Sequence, residues 1–234
     1  MRSLVAIGLT SLSLLFGTAS HVSGEMVLAT SYSMINGSGQ NVDGLYNYWD
    51  GNYTILANNT ISSNATIAGA FLSGGRGKLT DGFISTRRFD EVSNLVGTGE
   101  YVGWRGQVQS NPLITFDFDG SPFIDEINIY IDNSGFGNVI APGSVLIDGV
   151  SRPFTPPVSG TIGKVVFAGL GLTGSRHTVQ LNQILGSWVF ASEITFSSVS
   201  TPEPSSFVLA ALGLTGVNVL RRRRTEFNRS LRQE

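Results

Sequence analysis

The sequence predicts an all-β protein, an antiparallel β-sandwich held between two hydrophobic ends. Three observations carry this. Between positions 113 and 196, several short runs alternate apolar and polar residues with period two, as strands with one buried face do. Turn formers break these runs at close intervals, and the chain holds 29 glycines. No amphipathic helical pattern of respectable length interrupts them, so sheet packed on sheet is the layer arrangement left.

The two ends read as delivery segments and are set aside before the fold is reasoned out. Arg2 gives a basic start, Leu4 to Phe16 an apolar run, and Gly17 to Gly24 small residues, which together predict a secretory signal peptide over residues 1–24. Cleavage after Ser20 and cleavage near Gly24 both fit. At the other end, Pro202-Glu203-Pro204 precedes Phe207 to Leu220, fourteen residues apolar apart from Thr215 and Asn218. A bilayer span takes about twenty residues. Ser205 and Ser206 extend the segment outward, and arginine stems snorkel at its far end. Residues 201–224 are therefore expected to form a short transmembrane helix, with Arg221, Arg222, Arg223 and Arg224 on the cytoplasmic side and 225–234 as a cytoplasmic tail.

The strands of the body, residues 25–200, follow in order. Ile114, Phe116 and Phe118 share one face, opposite Thr115, Asp117 and Asp119. Ile127, Ile129 and Ile131 face one way, Asn128 and Tyr130 the other. Val145-Leu146-Ile147 runs into Asp148-Gly149, a strong hairpin turn. Lys164 to Phe167 and His177 to Leu181 give two more strands, and Ser187 to Phe196 closes the series with Trp188, Phe190, Ile194 and Phe196. Residues 25–64 read as a long polar loop anchored by Tyr46, Tyr48, Trp49 and Tyr53. Its Asn-x-Ser/Thr triplets, at Asn36, Asn52, Asn58 and Asn64, read as an exposed polar region.

Charge and chemistry exclude several classes. From Glu25 to Pro204 there are eight Lys and Arg against fifteen Asp and Glu, a net charge of −7. Nucleic acid, whose backbone demands a positive surface, is not an expected partner. With no cysteine there is neither disulfide nor thiol chemistry. His21 falls in the leader, which leaves His177 as the one histidine of the body. No zinc spacing, phosphate-cradling glycine loop or Gly-x-Ser-x-Gly elbow is present. The expected protein is not an enzyme.

The order Pro202-Glu203-Pro204, short apolar helix, arginine cluster resembles the PEP-CTERM sorting signal of exported bacterial proteins. That resemblance implies an exosortase as processing partner and a place in the cell envelope, at the cell surface or in the extracellular matrix. A second resemblance spans Tyr46 to Phe196. Tyr46 and Asp50, the segment Leu79-Thr80-Asp81-Gly82, Tyr101-Val102-Gly103-Trp104 and the closing strand with Glu193 are similar to the galactose-binding-like jelly roll, the discoidin or coagulation-factor C-type superfamily. It implies a structural calcium ion at the loop carrying Lys78 to Gly82 and the end strand with Glu193. Calcium takes six to eight oxygens. Asp81 offers a carboxylate and Thr80 a hydroxyl or carbonyl, with Asp50 or Asp43 closing from the other side. The same four residues also read as a plain Asp-Gly turn in which Asp81 caps its own backbone. Trp49, Tyr53, Arg76 and Trp104 are the residue types available to bind a sugar, Trp104 reading also as core. The expected function is a non-catalytic adhesive or carbohydrate-binding module with extracellular polysaccharide as partner. The alternative is a matrix scaffold without a specific ligand.

Overall fold

A computed structural model describes residues 24–38, 47–92, 99–106 and 111–198. Residues 1–23 of the expected signal peptide and the sorting segment, with the transmembrane helix expected there, lie outside these residues, as do Asp43 and Tyr46. Among the described residues no helix is long and apolar enough to cross a membrane.

The chain first lays down β1 (Met26–Val27), β2 (Ser31–Ile35), β3 (Thr54–Ile55), β4 (Thr60–Ile61), β5 (Phe71–Arg76) and β6 (Val102–Arg105). The alternating runs then give β7 (Leu113–Asp117), β8 (Phe123–Ile124), β9 (Glu126–Asn133), β10 (Ser144–Ile147) and β11 (Val150–Arg152). They continue as β12 (Thr161–Phe167), β13 (Leu172–Thr173), β14 (Arg176–Asn182) and β15 (Trp188–Ser197). Phe136–Asn138 forms a single 3-10 turn. One sheet has the order β1-β15-β9-β12, with β6 also on β15; the facing sheet has the order β11-β10-β14-β7-β2-β5-β3-β4. Every strand pair in them is antiparallel. The protein is thus an all-β antiparallel sandwich of jelly-roll type.

The predicted facing is kept. Ile114, Phe116 and Phe118 from one sheet meet Ile127, Ile129, Ile131 and Phe196 from the other in a single buried cluster. Asp148 (φ 48°) and Gly149 (φ 75°) turn the β10–β11 hairpin, where both central residues must take positive φ. Two expectations are corrected. Residues 25–64 are not one loop: β2 runs between β7 and β5, and Tyr32 and Met34 enter the core while Ser33 faces away. The triplet at Asn36 is not exposed either. Its side chain is fully buried, donating to the carbonyls of Asn64 and Ala65 and accepting from the Gly37 and Asp50 amides.

β15 changes phase along its length. Val189 and Ala191 face the main core, then Ile194 and Phe196 do, and the three-residue step between them is a bulge in the pairing with β9. A bulge re-aims side chains. Trp188 and Phe190 consequently fall on the other face of the sheet, where they join Tyr48, Phe89, Tyr101 and Val139 in a second buried cluster. The same bulge places Ser192 and Glu193 against the segment 79–85.

Candidate functional site

Glu193 is the centre of a polar junction between β15 and the turn after β5. The turn is fastened to the strand by two backbone-level contacts: the Ile194 amide donates to the Leu79 carbonyl at 3.0 Å, and the Gly82 amide donates to Glu193 Oε2 at 3.0 Å. Gly82 sits at φ 81°, the left-handed region, which lets its N–H reach the carboxylate without a Cβ penalty. Asp81 Oδ1 accepts the Phe83 amide at 2.8 Å, the self-capping predicted for an Asp-Gly turn. Its carboxyl also shares a hydrogen bond with Glu193. Asp81 thus caps its own turn and also faces a second acid.

Two carboxyls held together in partial burial resist ionisation. Burial, and then the charge of Asp81, push Glu193 up from its ordinary 4.5 to about 8. Burial likewise raises Asp81. Thr80 Oγ1 lies in the same turn, buried and without a hydrogen-bond partner. Among the described residues no three His, Cys, Asp or Glu side chains gather at metal-ligand spacing. A cation at this junction would therefore combine the Asp81 and Glu193 carboxylates with the Thr80 oxygen and backbone carbonyls. An all-oxygen set with an unpartnered hydroxyl and two crowded acids suits a hard divalent ion.

Asp50 is arranged differently from its expected place as a ligand. Fully buried, it accepts the Tyr32 hydroxyl on one oxygen and the Lys78 amide, at 3.1 Å, on the other. It supports the loop from beneath. Gly77 is required there, because a Cβ at that position would stand 2.5 Å from both Asp50 oxygens. Burial raises Asp50 from 3.8 to about 6, against the pull of the Tyr32 hydroxyl, the Lys78 amide and the Lys78 charge. Lys78 is itself 5% exposed, its Nζ buried without a hydrogen bond, and burial lowers it from 10.5 to about 8. Sequence reasoning named Lys78 only as a loop position and missed Tyr32; the spacing of neither signals its role, since both meet Asp50 only through the packing of β2 on β5.

The expected sugar-binding types do not come together. Tyr53 and Trp104 are fully buried. The Tyr53 hydroxyl donates to the Tyr32 carbonyl, and Trp104 Nε1 donates to the Ile35 carbonyl at 3.0 Å. A fully enclosed ring has no face for a ligand, so both residues are core. Trp49 is half-buried and Arg76 exposed. His177 is buried, its Nδ1 2.7 Å from Asp148 Oδ2, a contact that ties β14 to the β10–β11 turn.

An open concavity lies elsewhere, beside the edge strand β11. It is an open groove of about 560 Å3 lined by Pro142, Ser144, Arg152, Phe154 and Pro156, among others. No residue of it was singled out from the sequence. The Pro-Phe-Thr-Pro-Pro run directly after a hairpin was the available signal.

Fold and junction together define a β-sandwich module fastened at one polar turn. Residues 200–224 match the PEP-CTERM protein-sorting motif. The motif marks the chain as an exported protein of the bacterial cell envelope and implies processing by an exosortase. No curated relative matches the chain. Among solved structures, similar chains include CBM32 of AlyQ in complex with 4,5-unsaturated mannuronic acid, with 11% identity over 42% of this chain and 78% of that one and a TM-score of 0.30. The family 32 CBM from C. perfringens NanJ in complex with galactose has 12% identity over 43% and 80%, TM-score 0.31. Streptococcus pneumoniae β-galactosidase BgaA has 10% identity over 52% and 84%, TM-score 0.36.

Proposed function

We propose that the protein is a non-catalytic adhesive module of the cell surface that binds extracellular carbohydrate, carried to the envelope by its sorting segment. The observation that carries this reading is the union of an export address with a rigid sandwich that keeps an open, partly aromatic groove of about 560 Å3 at its edge. Grooves of that size, with a few polar groups among apolar walls, are where small ligands bind. One calcium ion, held by Asp81, Glu193 and Thr80, staples the turn to β15 and has a structural role. The alternative, a matrix scaffold without a specific ligand, draws its support from the burial of Tyr53 and Trp104.

A glycan array probed with the full-length chain in mild detergent decides between them. Saturable binding to a defined set of glycans is expected. Uniform weak adsorption across the array would establish the scaffold instead.

A further inference from the structure

The groove beside β11 holds a charge that the rest of the domain does not explain. Residues 25–200 carry fourteen acidic residues against eight basic ones, so a cation on the surface ordinarily finds a carboxylate. Arg87 pairs with Glu100, Arg88 with Asp90 and Glu91, and Arg176 with Asp117. Arg105 lies over the Trp188 ring. Arg76 is exposed to solvent. Arg152 alone among the described arginines is half-buried with neither an ion pair nor an aromatic face, and its Nε is buried without a hydrogen bond.

Its surroundings are those of a built wall. Phe154 lines the groove and packs T-shaped on Phe167, ring centroids 5.9 Å apart, which fixes the ring from behind. Pro142 and Pro156 stiffen the two sides, since a locked φ leaves little backbone freedom to lose on binding. Ser144 Oγ accepts from Asn182 Nδ2 at 2.8 Å and still has its own proton to donate. Arg152, a clamped aromatic ring and Ser144 thus line one open space.

We infer that this groove binds a uronic-acid unit of an extracellular polysaccharide, Arg152 taking the carboxylate and Phe154 lying against the sugar ring. The assignment rests on the carbohydrate-binding reading and gives it a ligand class and a place. A guanidinium matches a carboxylate in a planar, two-point geometry that an ammonium cannot reproduce. The net charge of −6 over residues 25–200 works against a densely charged polyanion, so recognition is of one acidic unit, local to Arg152, rather than of a long charged stretch.

The probes are trigalacturonic acid and its methyl ester, titrated calorimetrically into the full-length chain in mild detergent. Saturable binding of the acid is expected, at least tenfold weaker for the ester, for Arg152→Gln and for Phe154→Ala. Arg152→Lys keeps the charge and loses the fork, and is expected to fall at least threefold. A thermal melt of each variant confirms that the sandwich is intact; β11 lies at a sheet edge, so all three are expected to fold. Equal binding of acid and ester, or unchanged binding by a folded Arg152→Gln, overturns the assignment. If the array shows saturable binding of neutral glycans while trigalacturonic acid does not bind, this assignment falls and the module reading stands. If no glycan binds, both fall.

Discussion

The junction at Glu193 and the groove at Arg152 carry opposite imbalances. At the junction, Asp81 and Glu193 crowd together, and burial raises both carboxyls, Glu193 to about 8. At the groove a guanidinium stands without a carboxylate in an acid-rich domain. Their supports differ as well. Asp50 and Lys78 beneath the junction are buried, and the junction closes the sandwich through the Leu79–Ile194 and Gly82–Glu193 hydrogen bonds. The groove lies on an edge strand and closes nothing. The difference separates polar groups that hold the fold together from polar groups that remain available to a ligand.

The strongest way to break that contrast is Asp50→Ala. It removes the acceptor of the Tyr32 hydroxyl and the Lys78 amide in a fully buried site, and two stranded donors there cost about 2–4 kcal/mol. Urea denaturation measures it, and a loss below about 1 kcal/mol would show that Asp50 is not the support described.

Next in size is the effect of calcium. Adding a chelator is expected to lower the melting temperature by several degrees, following the ion's mass-action contribution to stability. Asp81→Ala should erase the difference between chelated and calcium-loaded protein. Identical melts with and without chelator would remove the ion from the junction.

The chelated protein should also show the carboxyl crowding as a pH dependence. Glu193 has a folded value of about 8 against 4.5, so between these values the folded chain keeps a proton that the unfolded chain releases. More protons bound in the folded state means that stability falls as pH rises. This contribution is full below about pH 4.5 and is lost through pH 8, with Asp50 adding its share between 3.8 and about 6. Urea midpoints from pH 5 to 8 should therefore decline, and Glu193→Gln should flatten the slope. A flat wild-type profile would mean that the two acids are not held together.

The smallest effect sharpens the other side of the contrast. Arg152→Gln is expected to change stability by less than about 0.5 kcal/mol, as edge substitutions without partners do. A loss above about 1.5 kcal/mol would make Arg152 structural and the groove merely a by-product of packing.

Much of this could be read along the chain. The faces of β7 and β9, the β10–β11 turn at Asp148-Gly149 and the sorting motif all depend on residues close in sequence. So does the Asp81 cap, which acts on an amide two residues away. The pairing of Asp81 with Glu193 was reachable only through a family resemblance, because 112 positions separate the two residues in the chain. Burial of Trp104 was legible as one of two readings, and Tyr53 as an anchor, but that of Asn36 was not: it opens an Asn-Gly-Ser triplet of the type found in exposed turns, and its partners Asn64 and Ala65 lie far along the chain.

By itself, the sequence determined what periodicity and local chemistry can encode: an exported chain, a body of strands with defined inner faces, and a tight turn at the Leu-Thr-Asp-Gly segment. The tertiary structure decided which polar groups meet. A one-residue bulge in β15 turned Glu193 toward Asp81 and sent Trp188 and Phe190 to a second cluster, and the position of β11 at a sheet edge left Arg152 without a carboxylate. The reason is physical. Hydrophobic alternation is set residue by residue, whereas a charge's partner and its degree of burial are properties of segments brought together from distant parts of the chain.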